Sequence, residues 1–259
     1  MKMKISSSHT HQEPRAQQSY QLSNSNYVQV RAYRTKDLQN CRDIFTQGMV
    51  QLISLVLRVV FPRYIWLSSA SSLFVLVLVV LFQWTSTAFY LYILTCAIAL
   101  SMLYIHVYIE CWKFINSCLA TDLRDIEKTY MTNDGCHMWV AEWSGKVVGM
   151  VGLVHNESHK PGVAELQRMS VSPACRRMGI ARKLLDELLN YAKDKRLERL
   201  VLTTTNAQTP AIRLYKKYGF KLVAVFLHPY KTLSDLQYQC FELHLRENDF
   251  TNRKSMQSR

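Results

Sequence analysis

"SVSPACRRMGIARKLL", residues 170–185, changes character twice within a few positions. Met169 to Val171 closes a run that suits a strand. Two adjacent arginines, Arg176 and Arg177, lead to Gly179, and from Ile180 onward apolar residues recur at helical spacing. Such a segment is either a solvated basic turn or a cradle where backbone N–H groups and guanidinium groups converge on an anion. The sequence around it decides between the two.

Before it, "VAELQRMSV" (163–171) reads as a strand. After it, "IARKLLDELLNYAKDK" sets Ile180, Leu184, Leu185, Leu188 and Leu189 on one face of an amphipathic helix. "RLVLTTT" is a strand, and "TPAIRLYKKYGF" a helix with Thr209 as N-cap, Pro210 at its first position and Gly219 as its stop. "KLVAVFL" and "QCFELHL" are closing strands. Farther toward the N-terminus, "HMWVAEW" and "KVVGMVGLV" form two strands joined by a Ser144–Gly145 hairpin turn. "ATDLRDIEKTYM" has helical spacing with Thr121 as N-cap, and "YVQVRAY" is a strand followed by a helix from about Lys36 capped by Thr35. The order β-α-(apolar hairpin)-α-β-β-β-α-β-α-β-β describes a mixed α/β fold.

No Asp, Glu, Lys or Arg occurs between Tyr64 and Ile109. That length suits two membrane crossings, about 64–82 and 88–109, joined by the polar "QWTST" with Trp84 at the interface. Arg58 and Arg63 before the pair and Lys113 after it put both flanks in the cytosol by the positive-inside tendency. "MVQLISLVLRVVF" (49–61), ahead of Pro62, is expected to lie along the bilayer surface or to insert in part.

Residues 1–26 are polar and read as a disordered tail rather than a cleaved signal peptide, and 247–259 as a second tail. The remaining expected divisions are 27–61 (first strand and helix), 62–112 (membrane hairpin) and 113–246 (main domain). Lys and Arg (32) outnumber Asp and Glu (19), and the resulting +13 favours a polyanionic partner such as a phosphorylated cofactor, acidic lipid or nucleic acid. No nucleic-acid motif accompanies the charge, so nucleic-acid binding ranks last. Seven scattered cysteines without a CxxC pair suggest reduced thiols facing the cytosol and neither a disulfide framework nor a metal site.

Arg176-x-x-Gly179-x-Ala181 at a strand-to-helix junction, with "ELQRMSVSP" before it and "LYKKYGF" after it, resembles the GNAT superfamily of acyl-CoA N-acyltransferases. The apolar hairpin, followed by "CLATDLRDIEKTYM" and "WVAEWSGKVVGMVGLV", is similar to the camello-type membrane N-acetyltransferases. That group includes a cysteine S-conjugate enzyme and an aspartate enzyme. "ELQRMSV" leans toward the second and "KVVGMVG" toward the first. The resemblance implies the GNAT fold, a mixed central sheet flanked by helices, carrying an inserted two-helix transmembrane hairpin. It also implies acetyl-CoA as co-substrate, no metal, and an endoplasmic-reticulum membrane address with the catalytic part in the cytosol. The acceptor is a small-molecule amine or a protein lysine; the alternative is an inert membrane scaffold retaining the fold. Oligomeric state is left open.

The same resemblance assigns cofactor contacts to Met169, Ser170 and Val171, whose backbone would pair with the pantetheine arm, and to Arg176, Arg177, Met178, Gly179, Ile180, Ala181 and Arg182 at the phosphates. The chemistry agrees: a helix N-terminus offers unpaired N–H donors, glycine admits close approach, and arginines add charge-assisted bonds. Only roughly a tenth of α-amino groups, and far fewer lysines, are neutral near pH 7, so a base is useful. Glu165 is the candidate base and Tyr215 the candidate acid for the leaving thiolate. His155 and His159 lie in an expected loop near the cleft as weaker candidates, and Cys175 beside the arginines is a possible reactive thiol.

Overall fold

Burial on both faces of the strands organises the molecule. The structure is a computed structural model describing residues 27–82, 86–155, 160–227 and 236–245. Among these, β1 (Gln29–Ala32), β2 (His137–Trp143), β3 (Lys146–Val154), β4 (Val163–Val171), β5 (Arg199–Thr205), β6 (Lys221–Leu227) and β7 (Gln237–His244) form one sheet of order β1-β2-β3-β4-β5-β7-β6. Neighbours are antiparallel except β4 and β5, which run parallel. The β2–β3 turn is the expected one: Ser144 (φ 50°) and Gly145 (φ 75°) both take the left-handed conformation that a tight hairpin requires.

Alternate side chains of β2 and β3 enter different cores. On one side, Trp139, Ala141, Val151 and Leu153 pack with α3 (Ile180–Asp194), whose buried stripe Ile180, Leu184, Leu185, Leu188 and Leu189 is the one read from the sequence. On the other, Met138, Val140 and Met150 pack on the roots of α1 (Leu38–Phe82) and α2 (Ser86–Ala120), through Cys41, Phe45, Ile115 and Cys118. The last helix, α4 (Thr209–Lys217), begins one residue earlier relative to its cap than expected: Gln208 is the N-cap and Thr209 is already helical. Gly219 (φ 87°) does end that region.

Three local expectations fail for tertiary reasons. Thr35 does not cap the first helix; the Asp37 carboxylate accepts the Arg34 N–H at 2.9 Å while also binding Arg31 at 2.6 Å. The Thr35 hydroxyl instead donates to Glu127. α1 itself continues through Pro62 to Phe82. Proline removes one backbone donor, and the helix tolerates that loss here. Thr121 is not an N-cap: its hydroxyl donates back to the Ser117 carbonyl (2.8 Å) just past the end of α2. The expected separate helix over 120–131 is reduced to a wide turn, Glu127–Met131, opened by Asp125, which accepts the Lys128 N–H. Ile115, Leu123 and Ile126 are all fully buried beneath the sheet, so packing rather than capping sets where α2 ends.

Among the described residues, two helices are long and apolar enough to cross a membrane, Thr35–Pro62 and Phe89–Ala120. The expected crossing at 64–82 is helical throughout as the second half of α1. Trp84, His159 and both expected tails lie outside the described residues.

Gly152 on β3 lets the Tyr130 ring lie against the backbone, since a Cβ there would come within 2.6 Å of Cε1. Gly152→Ala is therefore expected to lower the unfolding free energy by about 1–3 kcal/mol through overpacking, measured by denaturant unfolding in detergent. An unchanged midpoint would show that the ring is free to move.

Candidate active site

The parallel pair β4–β5 holds together only briefly. Val163, Ala164 and Glu165 pair with Arg199, Leu200 and Val201, and beyond Glu165 the two strands part. The β3 side of β4 stays paired, apart from a bulge in which Arg168 and Met169 together oppose Val151. Arg168 has φ 54°, a left-handed conformation uncommon for a residue with a long side chain. A bulge bends its strand and increases the twist. The segment 166–171 is thus left with one edge turned to the gap and no strand upon it among the described residues.

Arg168 is fixed from three sides. Its guanidinium donates to both carboxylate oxygens of Asp122, at 2.7 and 2.8 Å, and lies over the rings of Phe45 (5.5 Å) and Phe114 (5.9 Å). The Tyr130 hydroxyl donates to Asp122 at 2.8 Å and approaches the Gln167 amide oxygen at 3.3 Å, and Gln167 Nε2 donates to Glu165 at 2.7 Å. A continuous polar chain therefore links the end of α2 to Glu165. Burial disfavours charge on Asp122, yet the adjoining guanidinium prevails and holds its carboxyl below the ordinary range. Burial, with Asp122 alongside, pushes the Tyr130 phenol up.

Glu165, Met169, Ser170 and Tyr215 line one cavity of about 870 Å³ at this gap. Thr204 and Thr205 of β5 line it too, and their buried hydroxyls have no hydrogen-bond partner among the described residues. A buried polar group without a partner costs free energy, and these two hydroxyls carry that cost. Tyr215 is 5% exposed, its ring edge-on to Phe220, and burial raises its phenol above the ordinary value. At neutral pH it is a protonated donor.

Past Val171 the chain makes a single tight turn, Pro173–Cys175, and then alternates in backbone handedness: Arg176 is extended, Arg177 left-handed (φ 65°) and Gly179 left-handed (φ 76°). A Cβ at Gly179 would meet nothing within 4 Å, so the glycine answers to its φ rather than to crowding. No side chain caps α3, and Arg176, Arg177, Met178 and Arg182 are exposed around its first turn. Ile180 anchors that turn in the core and Ala181 is half-buried. Unpaired N–H groups, a positive dipole end and nearby guanidiniums fit a phosphate.

Other candidates fall elsewhere. His155 is held through Nδ1 by the Val163 carbonyl (2.7 Å), at the opposite end of β4 from the phosphate-type loop, and does not line the cavity. Cys175 is buried in the core, which removes it as an accessible thiol. Asp122, Arg168, Thr204 and Thr205 escaped the sequence reading. The one available signal was a charged residue, Arg168, within an otherwise alternating strand.

Comparison with known proteins gives the class. A family model described as "Acetyltransferase (GNAT) family" matches residues 104–220. N-acetyltransferase 8F1 of Mus musculus is 34% identical over 197 residues, covering 74% of this chain and 85% of that protein. N-acetylaspartate synthetase of Xenopus tropicalis is 32% identical over 222 residues (83% and 79%). A GNAT-family acetyltransferase of Staphylococcus aureus Mu50 shares the fold at TM-score 0.52 and 15% identity, covering 85% of this chain and all of that one. The chain belongs to the GNAT acetyltransferase family and is an acetyltransferase. Within it, its relatives are the N-acetyltransferase 8, N-acetylaspartate synthetase and camello proteins.

The Asp122–Arg168 pair is 14% and 19% exposed at its side chains. Asp122→Asn leaves a buried guanidinium without its counter-charge and is expected to cost about 3 kcal/mol. Asp122→Leu combined with Arg168→Met should cost less than the single change. The folded Asp122 titrates below its unfolded value, so its stabilisation is present above about pH 4 and is lost as pH falls through the depressed value. Unfolding curves recorded against pH would show the asparagine variant lacking that acid-side loss.

Proposed function

We propose that the protein moves the acetyl group of acetyl-CoA to a primary amine, such as the α-amino group of a cysteine S-conjugate or related amino acid, or a protein lysine. The observation that carries this reading is the β4–β5 gap itself. It opens beside an uncapped helix N-terminus and gathers Glu165 and Tyr215 around one cavity.

Acetyl-CoA supplies an activated thioester. The N–H groups at the start of α3, with Arg176, Arg177 and Arg182, hold its phosphates, and Met178 to Ala181 shape the cradle. The open edge of Met169, Ser170 and Val171 pairs with the pantetheine arm as an added strand. Glu165 takes a proton from the amine as nitrogen bonds to the acetyl carbon, directly or through water, and Gln167 orients its carboxylate. As the carbon–sulfur bond breaks, Tyr215 donates a hydrogen bond to sulfur. Complete transfer of its raised proton requires that the same burial raise the basicity of the thiolate.

The hairpin, 62–112, anchors this machinery, built from 27–61 and 113–246, at the cytosolic face of the endoplasmic reticulum, with 1–26 and 247–259 as tails. Ile93, Leu94, Ile98 and Met102 of α2 are each more than half exposed, an apolar surface that a bilayer covers. Protection of the C-terminal residues from protease in sealed microsomes would reverse the orientation; the expected result is cleavage.

Glu165→Gln should lower kcat by about 10²–10⁴-fold, and Tyr215→Phe by about 10²-fold, with KM for acetyl-CoA little changed in both. Steady-state assays with S-benzyl-cysteine, aspartate and a lysine peptide measure this. Wild-type kcat in both variants would sink the assignment.

A further inference from the structure

The cavity does not stop at the sheet. It continues between the two long helices, lined by Met49, Ile53 and Val56 from α1 and by Ala99, Leu103 and Val107 from α2. These positions recur at intervals of three and four, so each helix contributes one continuous stripe. From Met49 to Val60 the α1 stripe rises roughly 16 Å. At its inner end the groove opens directly onto Glu165, Ser170 and Tyr215.

The charges at the junction are selective. Glu165 lines it, hydrogen-bonded by Gln167; Glu110, also there, is paired with Lys113 at 2.8 Å, and the Arg168 guanidinium is engaged by both oxygens of Asp122. A dicarboxylate would meet the Glu165 carboxylate and a cation that is taken. An ammonium group on an apolar chain would meet complementary charge and an apolar wall.

We infer that the acceptor is a long-chain amphiphilic amine, its nitrogen at Glu165 and its unbranched tail lying in the groove between α1 and α2. The inference rests on reading the gap as the site of acetyl transfer to a primary amine and adds the chemical class of that amine. The groove lies within helices whose outer faces are exposed and apolar, so a tail dissolved in a bilayer reaches it without crossing water. Each methylene the groove takes from water is worth about three- to fourfold in binding.

The test uses the full chain in lipid nanodiscs with acetyl-CoA and hexylamine, decylamine or tetradecylamine, beside aspartate and a lysine peptide. In the wild type, kcat/KM referred to free amine should rise about three- to fourfold per methylene between hexylamine and decylamine. Partition into lipid alone produces such a rise, so the deciding variant is Val56→Trp, which fills the groove and leaves partition unchanged. It should reduce the decylamine-to-hexylamine ratio at least tenfold, whereas Val56→Ala should leave that ratio within about threefold of wild type. An equal effect of Val56→Trp on both amines overturns the groove assignment, as does preference for aspartate or the peptide over every alkylamine. Acetyl-CoA binding by calorimetry verifies that the variant is folded. Absence of transfer to any amine by the wild type removes the acetyl-transfer reading, and this inference with it.

Discussion

Arg168 occupies the left-handed region of backbone space in the middle of a strand, at a cost of about 1–2 kcal/mol for a residue with a Cβ. A bidentate pair with Asp122 and two aromatic faces, Phe45 and Phe114, offset that strain. Without the bulge at Arg168, β4 would keep a regular pleat into the position where it now stands clear of β5. The free edge at 166–171, the cavity and the placing of Glu165 at its brink all follow from that departure. Phe45 and Phe114 belong to the two long helices, so the residue that shapes the cleft also seats the hairpin.

The hairpin is therefore not an appendage to the catalytic fold. Cys41 and Phe45 of α1, with Ile115 and Cys118 of α2, are core residues beneath β2 and β3, while farther along the same helices the apolar side chains turn outward. Ser71 and Tyr92 bridge the two helices at 2.9 Å, and the Cys111 thiol reaches the Met49 carbonyl. Continuity of α1 through Pro62 carries this rigidity outward. In consequence one cavity touches both the sheet and the helix pair.

Features that depend on neighbours in sequence were legible. The α3 stripe is a periodicity, the Ser144–Gly145 turn a dipeptide, and the loop from Arg176 to Gly179 a composition at a strand-to-helix junction. Features that depend on distant partners were not. Thr35 and Thr121 are sound caps by residue type, yet Asp37 is recruited by Arg31 and Thr121 is absorbed past the end of α2. Asp122 lies 46 residues from Arg168, and nothing local marks the pair. Thr204 and Thr205 read as ordinary strand residues until their hydroxyls prove buried and unpartnered.

By itself the sequence determined the order of the strands, the buried stripe of α3 and the Ser144–Gly145 turn, because each rests on short-range spacing that backbone geometry imposes directly, and its motifs resembled the GNAT class. Tertiary structure alone decided that β4 parts from β5, that Glu165 and Tyr215 share a cavity, and that this cavity runs on between the helices. Those outcomes turn on cross-strand register and on an ion pair closed across the fold. Both are properties of packing, which no window of neighbouring residues encodes.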